Sequence, residues 1–203
     1  MVGMLLVRAQ AGVAGVTQQE SHMSRLAVPA REAVPEASKP LLDAVEKQLG
    51  VVPNVFRLVS LSPAALQGFL GMNGALAKTL DVKTRERIAL AVAQINGCDY
   101  CLSAHTYLGL NLAKIDADEI ALNRNGGSSD AKANVAVAFA AKVTKSRGNV
   151  SDADIQAVKA AGFTDAQIVE IVAVVSENVF TNLINIVAQT EIDFPVVKAS
   201  QLT

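Results

Sequence analysis

Beyond residue 40, apolar positions recur at three- and four-residue intervals, and the polar residues between them carry helix start and stop chemistry. The first such segment runs from Pro40 or Leu41 to Leu49 and stops at Gly50. Val51 to Phe56 is β-branched, but Pro53 and Asn54 predict a turn leading into a short helix. Ser62-Pro63 is a start signal, a capping hydroxyl followed by proline at the first helical position, for a helix to about Lys78. Asp81 caps the next, over 83–96, whose Ile88, Leu90, Ala91, Val92 and Ile95 cover more than one face and so predict deep burial. Asn96-Gly97 ends it, since both residues tolerate the left-handed conformation of a C-terminal cap. A further helix begins near Cys98 and continues through His105 to about Leu110.

Asp116 with Glu119 predicts a reciprocal cap for a short helix to Leu122, followed by a flexible connection over Asn125 to Ser129. Asp130 opens a helix to about Ser146, ended by Gly148, and Ser151 caps a brief one to Ala160, ended by Gly162. Thr164 with Gln167 caps the last long helix, to about Thr190. No alternating strand pattern occurs, so the fold class is all-α. Glu86 to Val92 and Glu170 to Val175 are faintly alike, which fits a degenerate repeat and equally fits two unrelated buried helices rich in Ala and Val.

Upstream, Pro29, Pro35 and Pro40 predict an extended arm packed on the remainder. Residues 1–23 have no basic stretch before their apolar run and read as a disordered leader, or as a start placed too early with Met23 near the effective beginning. Residues 24–203 are then a single helical domain, a length that suits one substantial core.

A formal charge of −1 and a pI near 6.1 supply no basic field for nucleic acid or anionic lipid. Hydrophobic residues make up 51% of the chain without a single Trp, so the interior is built from Ala, Val, Leu and Ile. Such a chain is expected to bury some apolar faces between subunits of a homo-oligomer. Ile168 to Val187 is interrupted by Glu170, Ser176-Glu177-Asn178 and Asn182, so no membrane span is expected. Two cysteines cannot form a secreted disulfide framework, and their close spacing suggests a switchable pair in the reducing cytoplasm.

Those cysteines, Cys98 and Cys101, stand with His105 and Glu86 in one short stretch, while the other histidine, His22, falls in the leader. If the two flanking helices fold back as an antiparallel hairpin about Gly97, a rise of ~1.5 Å per residue puts Glu86 roughly 16 Å and His105 roughly 12 Å from the turn, so that they can meet. Cys101 and His105 share one face, with Cys98 one turn below Cys101. A thiolate in the first turn of a helix gains from the macrodipole and from free amides, and both cysteines are within reach of that effect. His105 can carry a proton near neutral pH, with Glu86 fixing its tautomer. A thiolate that attacks a peroxide becomes a sulfenic acid, which a neighbouring thiol closes to a disulfide. Two other classes use the same residues: a zinc module with a Cys₂HisGlu set, although three of its ligands would share one helix, and a helical oligomer whose dithiol only senses redox state.

At Glu86, Cys98-x-x-Cys101 and His105 the sequence closely resembles the alkylhydroperoxidase AhpD-like group of the carboxymuconolactone decarboxylase superfamily. Val52-Pro53-Asn54-Val55-Phe56, Ser62-Pro63, Asn178-Val179-Phe180-Thr181-Asn182 and Asp193-Phe194-Pro195 extend the likeness over about residues 30 to 197, and they look like its peroxidase-related branch. The resemblance implies an all-helical bundle assembled as a dimer, trimer or hexamer, acting on hydrogen peroxide or alkyl hydroperoxides without cofactor or metal. It implies Cys101 as peroxidatic thiol, Cys98 as resolving thiol, His105 with Glu86 as proton relay, and a lipoylated or thioredoxin-like protein dithiol as reductant. The chain departs from well-known members at Tyr100, where they have histidine; a phenol is a poor base at neutral pH. Decarboxylase activity is not implied, because the superfamily's decarboxylases lack the cysteine pair.

Overall fold

A computed structural model describes residues 24–201; the expected leader, with Met23 and His22, lies outside the described residues. Among the described residues the secondary structure is helical, in the order α1 (Lys39–Leu49), α2 (Asn54–Val59), α3 (Pro63–Leu76), α4 (Val82–Asn96), α5 (Asp99–Asn111), α6 (Ala117–Arg124), α7 (Ala131–Ser146), α8 (Asp152–Ala160) and α9 (Asp165–Ala188). The arm before α1 is not wholly extended, because Arg31–Ala33 and Glu36–Ser38 wind into short 3₁₀ turns.

Capping chemistry sets most of the boundaries. Ser62, Asp81, Asp130, Ser151 and Thr164 each accept from the amide three residues on, and Asp154 and Gln167 return the bond to complete capping boxes. Asp116 also accepts the Glu119 amide, but the expected reciprocal bond is absent. Glu119 instead turns inward, where Oε1 accepts from Ser128 at 2.5 Å and Asn123 at 2.9 Å, Oε2 accepts both the amide and the hydroxyl of Ser129, and Arg87 pairs with it. A connection expected to be flexible is thereby tied to α6, because a buried carboxylate collects every available donor.

α4 is the central helix. Ile88, Ala91 and Val92 face α7 and α9, packing with Val137, Ala140, Ile171 and Val175, whereas Leu90 and Ala93 face α5 with Leu42, Leu66 and Leu102. Ile88, Leu90, Ala91 and Val92 are thus buried, as their distribution predicted, whereas Ile95 is only half-buried. α9 differs from expectation. By length and composition it is apolar enough to cross a membrane despite its polar interruptions, but half of that stretch is buried inside the fold. Its inner face carries Glu177, Asn178, Thr181, Asn182 and Asn185, all buried. From this polar stripe Asn182 reaches Asn96 at the end of α4, Asn185 reaches Cys101 in α5, and Glu177 reaches Asn73 in α3.

After α9 the chain continues without helix and straps across α4, α5 and α6. Ser103 Oγ binds the amide of Val197, Asp99 accepts the Ala199 amide at 2.8 Å, Gln94 donates to the Ala199 carbonyl, and the buried Arg124 donates to the carbonyls of Lys198 and Gln201. Asp193 reaches back to the start of α2, where it accepts the Asn54 amide at 2.8 Å.

Burial alone would raise the Glu119 carboxyl, but the Ser128, Ser129 and Asn123 hydrogen bonds outweigh it and hold the pKa at about 2. A depressed carboxyl contributes stability above its unfolded value and loses it as pH falls through the folded one. Glu119→Gln is therefore expected to lower unfolding free energy by about 1–3 kcal/mol at pH 7. In urea titrations that difference should shrink between pH 4.5 and about 2.

Candidate functional site

The site starts from the way α4 ends. Gly97 takes φ 69°, ψ 30°, the left-handed conformation that costs a residue with Cβ more than it costs glycine, and Cys98 N–H bonds back to Ala93. The chain then reverses into α5 with Cys98 as its N-cap in extended conformation. Its sulfur accepts the Cys101 amide at 3.3 Å, the position a serine or aspartate oxygen takes in an ordinary cap. Cys98 and Cys101 are both free thiols, 1% and 3% exposed.

α5 folds back along α4 far enough for His105 Nδ1 and Glu86 Oε2 to meet at 2.8 Å. Their side chains are 21% and 13% exposed, so the cluster is more open at the imidazole than at the sulfurs. From the opposite side α9 supplies two amides. Asn185 Nδ2 donates to Cys101 Sγ at 3.4 Å, and Asn182, whose Oδ1 accepts from Asn96 at 2.8 Å, also directs its amide towards that sulfur. Glu177, one turn earlier, lies near both His105 and Glu86 and accepts from Asn73 Nδ2 at 2.6 Å.

These surroundings split the two thiols. The hydrogen bond from Cys98 does most to lower the Cys101 pKa; burial opposes it, and the His105 charge with the Asn185 and Asn182 amides adds to it, leaving a pKa of about 6. Cys98 moves strongly upward, because it is the donor to Cys101 and is itself desolvated. Burial pulls His105 down, but the Glu86 carboxylate and its hydrogen bond, followed by the Cys101 charge, more than reverse this and raise its pKa. Desolvation raises Glu177 despite the Asn73 bond. Chemically the cluster offers one buried thiolate, one neutral thiol beside it, and an imidazolium held by a carboxylate.

The structure brings Glu86, Cys98, Cys101 and His105 together, and it directs Tyr100 elsewhere. The phenol accepts the Val55 amide at 3.0 Å and donates to Asp193 Oδ1 at 2.8 Å, while its ring meets Phe194 edge-on. Tyr100 therefore ties α5 to α2 and to the C-terminal strap. Among the described residues no three His, Cys, Asp or Glu side chains group closely enough to hold a metal ion. Sequence reasoning missed Asn182, Asn185, Glu177 and Asn73. The signal was the recurrence of polar residues at positions 177, 178, 181, 182 and 185 along one helix, of which 177, 178 and 182 read as interruptions of an apolar run and 178–182 as part of the family likeness.

The Carboxymuconolactone decarboxylase family model matches residues 63–145, which include α4, α5 and Glu86, Cys98, Cys101 and His105. A crystal structure of an uncharacterized peroxidase-related protein from a Silicibacter species superposes with a TM-score of 0.73 at 27% identity, covering 87% of this chain and 95% of that one. An uncharacterized peroxidase-related protein from Ralstonia eutropha, described as an alkylhydroperoxidase AhpD core, gives 0.73 at 28% identity over 84% and 93% of the two chains. An uncharacterized protein of Haemophilus influenzae is 49% identical over 45 residues, which is 21% of this chain and 40% of that relative's length. These likenesses in sequence and fold support assignment to the alkylhydroperoxidase AhpD and carboxymuconolactone decarboxylase superfamily.

Thiolate absorbance of the reduced protein is expected to rise with a single apparent pKa near 6. Cys101→Ser should abolish that transition. Because the Glu86-held imidazolium favours the thiolate, Glu86→Gln should shift it upward, whereas an unchanged midpoint would show that the two groups are uncoupled.

Proposed function

We propose that the protein is a thiol peroxidase that reduces hydrogen peroxide or alkyl hydroperoxides through a Cys98–Cys101 dithiol and disulfide cycle. The observation that carries this reading is the inequality of the two buried sulfurs beside the His105–Glu86 pair: Cys101 is held near a pKa of about 6 while Cys98 is pushed up. The Cys101 thiolate attacks the terminal peroxide oxygen, the S–O bond forms as the O–O bond breaks, and the sulfur loses two electrons to the peroxide. His105, protonated and oriented by Glu86, gives its proton to the departing alkoxide or hydroxide, which leaves as alcohol or water. Cys98 then attacks the sulfenic sulfur, its proton leaving with the hydroxyl as water, and the disulfide forms. An external protein dithiol restores both thiols, a lipoylated or thioredoxin-like protein by likeness to the superfamily.

The N-cap position of Cys98 suits the resolving role, since this sulfur already contacts the first turn that carries Cys101. Self-association belongs to the same proposal and is supported by the outer face of α9, where Val169, Val172, Leu183, Ile186 and Val187 are exposed.

Cys101→Ser is expected to abolish peroxide consumption with excess dithiothreitol, and undiminished turnover in that variant would reject the assignment. The reaction needs thiolate and imidazolium together, so the rate should rise with pH through about 6 and fall above the raised pKa of His105. Removing the Glu86 carboxylate lowers the His105 pKa. Glu86→Gln should therefore move the alkaline limb to lower pH and reduce the maximum by about 10–100-fold. Multiple turnovers with excess peroxide separate this enzyme from a sensor, which is oxidised once.

A further inference from the structure

Two buried carboxamides beside Cys101 are each left half satisfied. Asn182 is 0% exposed; its Oδ1 is taken by Asn96, and its Nδ2 faces the Cys101 sulfur without completing a hydrogen bond. Asn185 is 3% exposed; its Nδ2 is spent on the Cys101 sulfur, and its Oδ1 has no partner. Spaced three residues apart on α9, they share one face, so a free donor and a free acceptor flank one nucleophilic sulfur. Buried amide atoms are rarely left unpaired, and a concentration of such atoms at a reactive group marks a place for a polar ligand.

The chemistry of the vacancies defines the ligand. A hydroperoxide carries one O–H donor and oxygen lone pairs within a single short group, and few other small molecules present both next to an electrophilic oxygen. We propose that Asn182 and Asn185 form the hydroperoxide-binding pair of the site: Asn185 Oδ1 accepts the peroxide O–H, and Asn182 Nδ2 donates to an oxygen of the O–O bond. This rests on the peroxidase reading above and adds the residues that hold the substrate. The hydroxyl lies on the terminal oxygen, so its bond to Asn185 keeps that oxygen beside Cys101 Sγ. The remaining oxygen, with any alkyl group, is the leaving atom that His105 protonates. When the S–O bond forms and the O–O bond breaks, the oxygen left on sulfur keeps the same O–H donor and lone pairs. The pair therefore holds the sulfenic acid until Cys98 reaches it. A dialkyl peroxide has no O–H, and this pair would not retain it.

The test compares two electrophiles on the reduced full chain. Oxidation of Cys101 by hydrogen peroxide and by tert-butyl hydroperoxide is followed by rapid quench and mass spectrometry, and iodoacetamide alkylation of the same thiol provides the reference. In Asn182→Ala and Asn185→Ala, and in the nearly isosteric Asn182→Leu and Asn185→Leu, oxidation should slow by about 10-fold or more. Alkylation, once corrected for the thiolate fraction from its pH profile, should change by less than about 3-fold, because iodoacetamide does not use the O–H acceptor. Equal slowing of both reactions would overturn the proposal in favour of an effect on the thiolate or on folding alone. Unchanged oxidation in correctly folded variants would overturn it while leaving the peroxidase reading in place. A wild-type Cys101 inert to both peroxides would reject that reading and the binding pair with it.

Discussion

A sulfur that is ionised inside a protein must be surrounded by donors, because desolvation alone would drive the proton back onto it. That requirement accounts for much of what is irregular about this helical fold. It explains a cysteine at an N-cap, an imidazole bonded to a carboxylate on the neighbouring helix, and asparagines on the inner face of α9, a helix otherwise apolar enough for hydrocarbon. On α9, Asn182 and Asn185 lie beside Cys101, and Glu177 lies near His105, whose charge acts on that sulfur. Without the thiolate to compensate, the same side chains would be buried polar groups of little benefit.

The two thiols differ because of where the chain reverses. Gly97 ends α4 in the left-handed conformation, and the residue after it becomes the cap of α5. Cys98 is therefore held in extended backbone with its sulfur over the first turn, while Cys101 is inside that turn and exposed to the charge of His105. A spacing of three residues gives proximity, and the helix boundary between them gives asymmetry. An uninterrupted helix through both cysteines would supply the proximity and lose the donor that Cys98 provides.

The site is held from outside by groups far away in sequence. The strap after α9 is fixed by Arg124, Gln94, Asp99 and Ser103, and its Asp193 joins Tyr100 to cap the start of α2. The Tyr100 phenol is thus a strut between three segments. Phe194 packs against both Tyr100 and Tyr107, so the strap also covers one side of α5 with aromatic surface.

Local chemistry was enough to determine the helices, because caps, prolines and left-handed glycines act over a few residues: Ser62, Asp81, Ser151 and Thr164 start elements wherever the chain goes next. The grouping of Glu86, Cys98, Cys101 and His105 was legible for the same reason, since one turn and helical periodicity relate all four. Glu119 shows the limit: its capping spacing was correct, yet the half-buried guanidinium of Arg87 and the hydroxyls of Ser128 and Ser129 draw the carboxylate away from the cap. Only the tertiary structure decided which face of α9 meets the sulfur, and therefore that Asn182, Asn185 and Glu177 belong to the site. Contacts between residues some eighty positions apart depend on how whole helices pack, and no local periodicity encodes that choice.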